Sequence, residues 1–546
     1  MLRSLKYSYV DADTQLSSPG YGSGASLGPN HLSGTGESGF WGRCNVGLGE
    51  CTRGRDEAVR GARGVRLMLL TLSGVMLCAA MSASSAFAYE FSIADVKVKP
   101  FASDRVRFEV VDWFDPGPAT ENDYWFFANV LRFGAKLEHP SWEITVEGQD
   151  VSLVHLPDDG VGPGSVYFAN TRNRDQHETH IRQGFLELPN LGVEGFSLKG
   201  GRFIFSEGLE GMDRASDPNL KWLKKSRVSQ RLIGRFDYTH VGRSFDGGKL
   251  NYDRGPLTLT FMGGIPTAGG FNVSANKNIG DIHTTYAAAT ITEPTWLPRS
   301  DMRVFYNYYT DGRDVVATDN RPLAIRQGDD QDINVHTIGG NFTKVCSLGP
   351  GNVDAMLWVA GQFGDWERQD HRAYAVAVEA GYRLNDLPWK PWFRTGYFRG
   401  SGDDDPTDGD HDTFFQVLPT ARLYAMTPFY NLMNNQDVFV QMVLKPLPNL
   451  LVRSDYHYLR VSENDDLVYS GGGATQSRPV FGYGGFSARG DDSIAHFIDL
   501  TVAYTMNEHL KFSAYYGHAF GQSVISNEFP VDDDLNYAYF ETTISF

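Results

Sequence analysis

Beyond residue 89, apolar and polar side chains alternate with a period of two along much of the chain. In 104–114, Val106, Phe108 and Val110 alternate with Arg105, Arg107 and Glu109. In 126–138, Phe127, Leu131, Phe133, Ala135 and Leu137 oppose Arg132, Gly134, Lys136 and Glu138. The pattern recurs with Trp142, Ile144 and Val146 against Glu143, Thr145, Glu147 and Gln149. Met302, Val304, Tyr306 and Tyr308 share one face of 301–311, and Arg453, Asp455 and His457 oppose Val452, Tyr456 and Tyr458. Successive side chains on a strand point to opposite faces, so these runs predict strands with one apolar and one polar face.

A soluble sandwich would alternate in the same way, and the punctuation separates the two. Short turns rich in Pro, Asn and Gly, at 139–140, 189–190, 347–352, 385–391, 445–449 and 506–509, alternate with long polar loops. Short turns at one end and long loops at the other are the habit of outer-membrane barrels. Tyr and Trp recur near strand ends, where interface girdles need them. The chain ends on Phe546, with Ile544, Thr542, Phe540 and Ala538 on one face, as a closing barrel strand would. The expected fold is all-β: a transmembrane antiparallel β-barrel with short periplasmic turns and long extracellular loops. Eight turns with both termini periplasmic imply nine loops and about 18 strands, an even number as such barrels favour. The run 412–426 could pass for a further strand, but the even count assigns it to one long loop over 401–434, folded into or over the lumen. A barrel of this size leaves an aqueous channel unless loops plug it.

The stretch 227–238, RVSQRLIGRFDY, spaces three arginines by four. On a helix they would form a basic stripe. On a strand Arg227, Ser229, Arg231, Arg235 and Asp237 share one face, while Val228, Leu232, Phe236 and Tyr238 share the other. The barrel context selects the strand, with the arginines facing water and Leu232 and Phe236 facing lipid. An arginine on the lipid face near midplane would cost about 2–4 kcal/mol.

The formal net charge is −17 and 41% of residues are hydrophobic. No run after residue 88 is apolar for the ~20 residues that a spanning helix needs. Leu67 to Ala80, preceded by Arg60, Arg63 and Arg66 and followed by Ala86-Phe87-Ala88, reads as a secretory signal peptide over 60–88, cleaved after Ala88. Residues 1–59, rich in Gly and Ser and without periodicity, then precede an export signal. They are expected to stand outside the natural protein, whose translation would start near Val59 or Met68. Residues 89–546 form one outer-membrane barrel. Of four cysteines only Cys346 remains, which excludes an intramolecular disulfide framework.

Between Lys221 and Arg254 nine basic residues face only Asp237, Asp246 and Asp253. A basic stripe in a low-dielectric tube concentrates anions, and the arginine fork pairs bidentately with carboxylates. Arg105, Arg107, Arg132, Lys136, Arg202, Arg227, Arg231, Arg235 and Arg453 are the expected pore-lining residues. They would take an anionic polysaccharide or small anionic solutes. An ion-pair network with Glu109, Glu138, Glu143 and Glu147 that braces the barrel is the competing reading. Asp403, Asp405, Asp408 and Asp410, with Asp404 and Asp412, could offer oxygen ligands to Ca²⁺, but the run lacks EF-hand spacing. A solvated loop is the alternative, and no other cofactor is expected. Beyond residue 88 neither G-x-S-x-G nor H-E-x-x-H occurs, and His177, His180 and His371 have no evident partners in sequence. The reading is a channel and not an enzyme. Its surroundings are outer-membrane lipid and a periplasmic export partner, with no nucleic acid.

The segments SGDDDPTDGDHDTFFQVLPTARLYAMTPFYNLMNNQD, LRVSENDDLVYSGGGATQ, RVRFEVVDWFD, GRFIFSEG and GRSFDGGKLNY resemble the alginate export family of outer-membrane barrels over nearly the whole mature chain. The resemblance implies an eighteen-stranded barrel whose arginine-rich constriction passes an anionic exopolysaccharide. By motif neighbourhood it matches Arg132, Arg202, Arg227, Arg231 and Arg235 to basic lumen positions. A substrate does not transfer with a fold, so a general or small-solute porin and a barrel scaffold for a periplasmic partner remain open.

Overall fold

A computed structural model describes residues 90–420 and 424–546. The expected leader over 1–59 and signal peptide over 60–88 lie outside the described residues. Eighteen antiparallel strands close on themselves. They are β1 Val96–Asp112, β2 Asp123–His139, β3 Trp142–Val154, β4 Gln176–Leu188, β5 Phe196–Phe203 and β6 Phe245–Arg254. Next come β7 Leu257–Pro266, β8 Ile282–Thr292, β9 Ser300–Asp311, β10 Ile333–Leu348, β11 Gly351–Trp366 and β12 Gln369–Leu384. The last six are β13 Trp392–Gly400, β14 Asn435–Leu447, β15 Leu450–Val461, β16 Ser493–Thr505, β17 Leu510–Gly521 and β18 Asp534–Ser545. Strand β18 pairs with β1, Glu541 opposite Arg107, and the Phe546 amide donates to the Ala102 carbonyl at 2.8 Å. Closure leaves the wall no free edge, which lipid requires, since no water is present there to satisfy an open strand.

The alternation becomes the two faces of the wall. Val304, Ile338, Val378, Val440 and Phe540 point outwards and remain exposed, forming the apolar belt, while Arg107, Glu109, Glu147, Asp455 and Asp499 point inwards and are buried. Eight short connections lie at one end and nine at the other. The second set is long except for the tight turn between β11 and β12. Near the long-loop end the outward Tyr306, Tyr308 and Phe363 stack around His336, and Tyr458 stacks on His496, as part of an aromatic girdle.

Two connections turn inwards. Residues 204–244 join β5 to β6, and residues 401–434 join β13 to β14. The stretch 227–238 is therefore not a strand of the wall. Asp217 caps the helix α1 Pro218–Leu223 by accepting from the amides of Asn219 and Leu220, with proline at the first turn, and a π-turn over Lys224–Val228 follows. Gln230 and Phe236 then take positive φ, a conformation that interrupts a strand. Leu232 and Phe236 do not face lipid, since both are fully buried inside the barrel. The amide of Gly234 donates to the Leu418 carbonyl at 2.9 Å, and that of Leu418 to the Leu232 carbonyl at 2.8 Å, so the two infolded segments pair with each other. Gly234 allows the approach, because a Cβ there would stand 2.4 Å from Thr420 Oγ1. Phe414, Phe415, Val417, Leu418 and Met426 of the second segment are also buried. Together the two segments give the barrel an apolar filling between polar walls.

Candidate functional site: a guanidinium cluster in the lumen

The polar inner face of β1–β4 and the first infolded segment meet at Asp237. Arg235 Nε lies 2.9 Å from Asp237 Oδ2, Arg132 Nη2 lies 3.3 Å from Oδ1, and Arg182 Nη2 also reaches Oδ1. Arg105 donates to the Asp237 carbonyl at 2.7 Å and to the Thr239 carbonyl at 2.9 Å. Glu147 is the second carboxylate, 4.0 Å from Arg132 and 3.8 Å from Arg182. Arg105 also lies 3.8 Å from Glu541, so among the described residues four guanidiniums face three carboxylates. Burial raises the pKa of the Asp237 carboxyl, but the surrounding arginines outweigh it and hold the group below its ordinary range. Arg105, Arg132 and Arg235 keep 15, 20 and 13% of their side-chain surface, so water reaches this cluster. Towards the short-turn end Lys99 and Lys136 share Glu138, and Lys136 also pairs with Glu143 at 2.9 Å.

On the long-loop side of the cluster the network closes. Arg107 pairs with Glu541 at 2.7 Å, and His240 Nε2 lies 2.8 Å from Glu109, which also accepts from Tyr537. Burial pushes the His240 pKa down to about 4, so at neutral pH a neutral ring donates to Glu109.

The expected pore residues fall into three groups. Arg105, Arg107, Arg132, Lys136 and Arg453 are on the inner wall. Arg202 is not. Its neighbour Phe203 is buried in the interior opposite Phe245, so Arg202 and its cross-strand partner Asp246 project from the outer face, joined at 2.7 and 2.8 Å. The misreading came from β5, where Lys199 and Phe203 hold the inward positions and leave Arg202 the other parity. Arg227, Arg231 and Arg235 lie inside the barrel on the infolded segment and not on a wall strand. Arg227 and Arg231 have 1 and 0% of their side chains exposed, so neither meets the water of a pore. Arg227 makes a two-pronged pair with Glu379 at 2.8 and 3.0 Å, and Arg394 lies 3.2 Å from the same carboxylate. Arg227 and Arg231 thus tie the segment to β12 through Glu379.

Arg182, Arg303, Arg394 and Glu379 are the structural partners that periodicity did not bring forward. Each occupies an inward position of an alternating run, and that parity was the available signal. The loop aspartates are engaged in turns. Asp403 Oδ1 accepts the Asp405 amide, Asp405 the Thr407 amide and Asp408 the Asp410 amide. Among the described residues no three Asp, Glu, His or Cys side chains, from this loop or elsewhere, converge to hold a metal ion. A cavity of about 660 Å³ opens among the long loops, lined by Asp330, Asp332, Asp365, Glu367 and Arg368. Its acidic lining suits no anion and it lies away from the guanidinium cluster.

Comparison with known proteins agrees with this architecture. The BenF-like porin from Pseudomonas fluorescens Pf-5 superposes with a TM-score of 0.53 at 10% identity, covering 82% of this chain and 98% of the porin. Pseudomonas aeruginosa OccK2 (OpdF), solved in complex with glucuronate, gives 0.51 at 10% identity over 84 and 99% of the two chains. Pseudomonas aeruginosa OccK9 (OpdG) gives 0.51 at 13% over 83 and 99%. At such identities the likeness concerns the fold alone. No curated protein sequence matches the chain. The model of the alginate export family matches residues 102–528. That match spans most of the chain, from the first barrel strand to the last long loop, and the protein belongs to the alginate export family of outer-membrane β-barrels.

Proposed function

We propose that the barrel is an outer-membrane channel for an anionic saccharide, an alginate-like chain or its smaller uronate relatives, guided by water-accessible arginines of the lumen. The observation that carries this reading is the gathering of Arg105, Arg132, Arg182 and Arg235 around Asp237, with Glu147 and Glu541 beside them and three of the four arginines still in contact with water. Weak attraction at several such positions lets a polyanion enter and leave, whereas one tight site would trap it. Lys99 and Lys136 extend the attraction towards the short-turn end, which is periplasmic in this class of barrel. Synthesis and a periplasmic partner would supply the drive. A second reading, a channel for small anionic solutes only, is favoured by the infolded segments, whose buried side chains occupy much of the lumen.

The test is a planar-bilayer recording of the refolded protein, with reversal potential measured under a KCl gradient and oligouronates of increasing length added. Anion selectivity and block by oligouronate are expected, and both should weaken in the Arg132→Ala, Arg235→Ala double variant. Block that strengthens with chain length supports the polymer, and block by the monomer alone supports the small solute. A cation-selective conductance indifferent to uronate would overturn both. Arg227 and Arg231 are not suitable substitutions, since removing either leaves Glu379 with fewer partners in the interior.

A further inference from the structure

A second polar sector of the inner wall is incomplete as it stands. Gln441 on β14, Asp455 on β15 and Asp499 on β16 form one cross-strand row, and Arg453 and Thr501 stand opposite each other in the next. Gln441, Asp455, Asp499 and Thr501 are each at most 3% exposed. Asp455 Oδ2 accepts from Arg453 Nε at 2.5 Å, and Asp499 Oδ2 accepts from the Tyr515 hydroxyl at 3.1 Å. Among the described residues the other oxygen of each carboxylate, both amide atoms of Gln441 and the Thr501 hydroxyl have no hydrogen-bond partner. A buried polar group left unsatisfied forfeits its hydration with nothing in return, and native proteins keep few of them. Five such atoms on four adjoining side chains therefore point to an occupant.

Charge identifies its class. Asp437 is matched by His457 at 2.9 Å and Asp455 by Arg453, but no Lys, Arg or His lies within ion-pair distance of Asp499 among the described residues. The unfilled atoms are four oxygens, two of them from carboxylates, and one amide nitrogen. Hard cations take oxygen ligands of this mixed kind, and Ca²⁺ accepts six to eight of them, water included. The second infolded segment closes the place. The Tyr515 hydroxyl accepts from the amides of Met426 and Thr427 at 3.2 and 3.1 Å. Gly517, opposite Asp499, makes room for this, since a Cβ there would be 2.3 Å from Thr427 Oγ1.

We propose that Gln441, Asp455, Asp499 and Thr501 form a buried site for a hard, oxygen-ligated cation of the Ca²⁺ class. Asp455 Oδ1, Asp499 Oδ1, Gln441 Oε1 and Thr501 Oγ1 would serve as ligands, and water would complete the shell. Through Tyr515 the ion would fasten the segment 401–434 to the wall. The site is independent of what the channel carries and separate from the loop aspartates 403–412.

The test uses the full chain refolded in lipopolysaccharide-free detergent micelles, treated with EDTA and dialysed free of it. Thermal unfolding and calorimetry are run with CaCl₂, MgCl₂ or KCl. One Ca²⁺ per chain and a Ca²⁺-dependent rise in Tm are expected, lost in Asp499→Asn and in Gln441→Leu. Both should persist in an Asp404→Asn, Asp408→Asn, Asp410→Asn variant of the exposed loop. If one substitution prevents refolding, the other decides. A wild-type protein that ignores all three salts while Asp499→Asn raises Tm would overturn the proposal and leave a proton on Asp499. A response that survives in Asp499→Asn and Gln441→Leu and vanishes in the loop variant would overturn it too, and place the ion at the surface.

Discussion

The inner wall has two polar sectors of opposite sign, and they are completed in different ways. On β1–β4 the excess is cationic, and the infolded segment answers it with the Asp237 carboxylate and with main-chain carbonyls. On β14–β16 the excess is anionic, and the described part of the other infolded segment meets it with hydroxyls and backbone, five buried atoms having no partner among the described residues. The difference follows from side-chain reach. An arginine has a long stem and five donors, so it can find carbonyls several ångströms from its own strand. An aspartate is short and only accepts, so whatever satisfies it must come to it. A basic wall can be completed by the chain itself, whereas an acidic wall on flat strands is more easily completed by something small and mobile.

That contrast can be broken from either side. The largest effect is expected for Asp237→Asn, which leaves Arg132, Arg182 and Arg235 facing one another. Urea unfolding in micelles should fall by about 3 kcal/mol, the scale seen when one partner of a buried ion pair is removed. Because the arginines hold the Asp237 carboxyl below its ordinary range, its contribution is present above the unfolded carboxylate pKa and is lost as pH falls below about 4. The wild type should therefore lose stability more steeply in acid than the variant. A smaller loss, about 2 kcal/mol, is expected for Gly517→Ala, where the new methyl must displace Thr427. Smaller again, and opposite in sign to Asp237→Asn, is Asp499→Asn without added cation. Removing an unmatched carboxylate should raise stability by about 1 kcal/mol, and a loss comparable to that of Asp237→Asn would erase the distinction between the sectors.

The smallest effect belongs to the long-loop end. Burial pushes Asp466 up to about 6 and Asp403 up to about 7, with neighbouring aspartates also raising Asp403. A carboxyl whose folded pKa is raised opposes the fold while ionised, and this cost disappears as pH falls through that value. Protease cleavage within 401–434 should slow between pH 8 and pH 5, and no slowing in Asp403→Asn, Asp466→Asn would assign the effect to these groups.

Much of the wall was legible in the sequence, and the reason is geometric. A lipid-facing strand must be apolar at every second residue, so Phe108, Phe133, Val146, Val304 and Tyr456 announce their strands and their outward direction. The same rule failed at Leu232 and Phe236. Inside a filled barrel an apolar face can be buried by another loop, here that carrying Leu418, as well as by lipid, and alternation does not distinguish the two. Asp217-Pro218, a cap followed by a first-turn proline, was the local sign that this stretch begins as a helix. Arg202 was misplaced because the parity of a short strand rests on one or two anchors, and Phe203 was the anchor that mattered.

The sequence by itself determined the closed sheet, the turn and loop ends, the apolar belt and the presence of basic residues at lumen level, because each rests on local spacing against a known solvent. Only the tertiary structure decided which charges meet. Arg227 finds Glu379, which is 152 residues away, and Arg107 finds Glu541 across the seam where the barrel closes. Ion pairing is set by distance in space, and in a cylinder the strands that face each other across the lumen are the ones their order along the chain keeps apart.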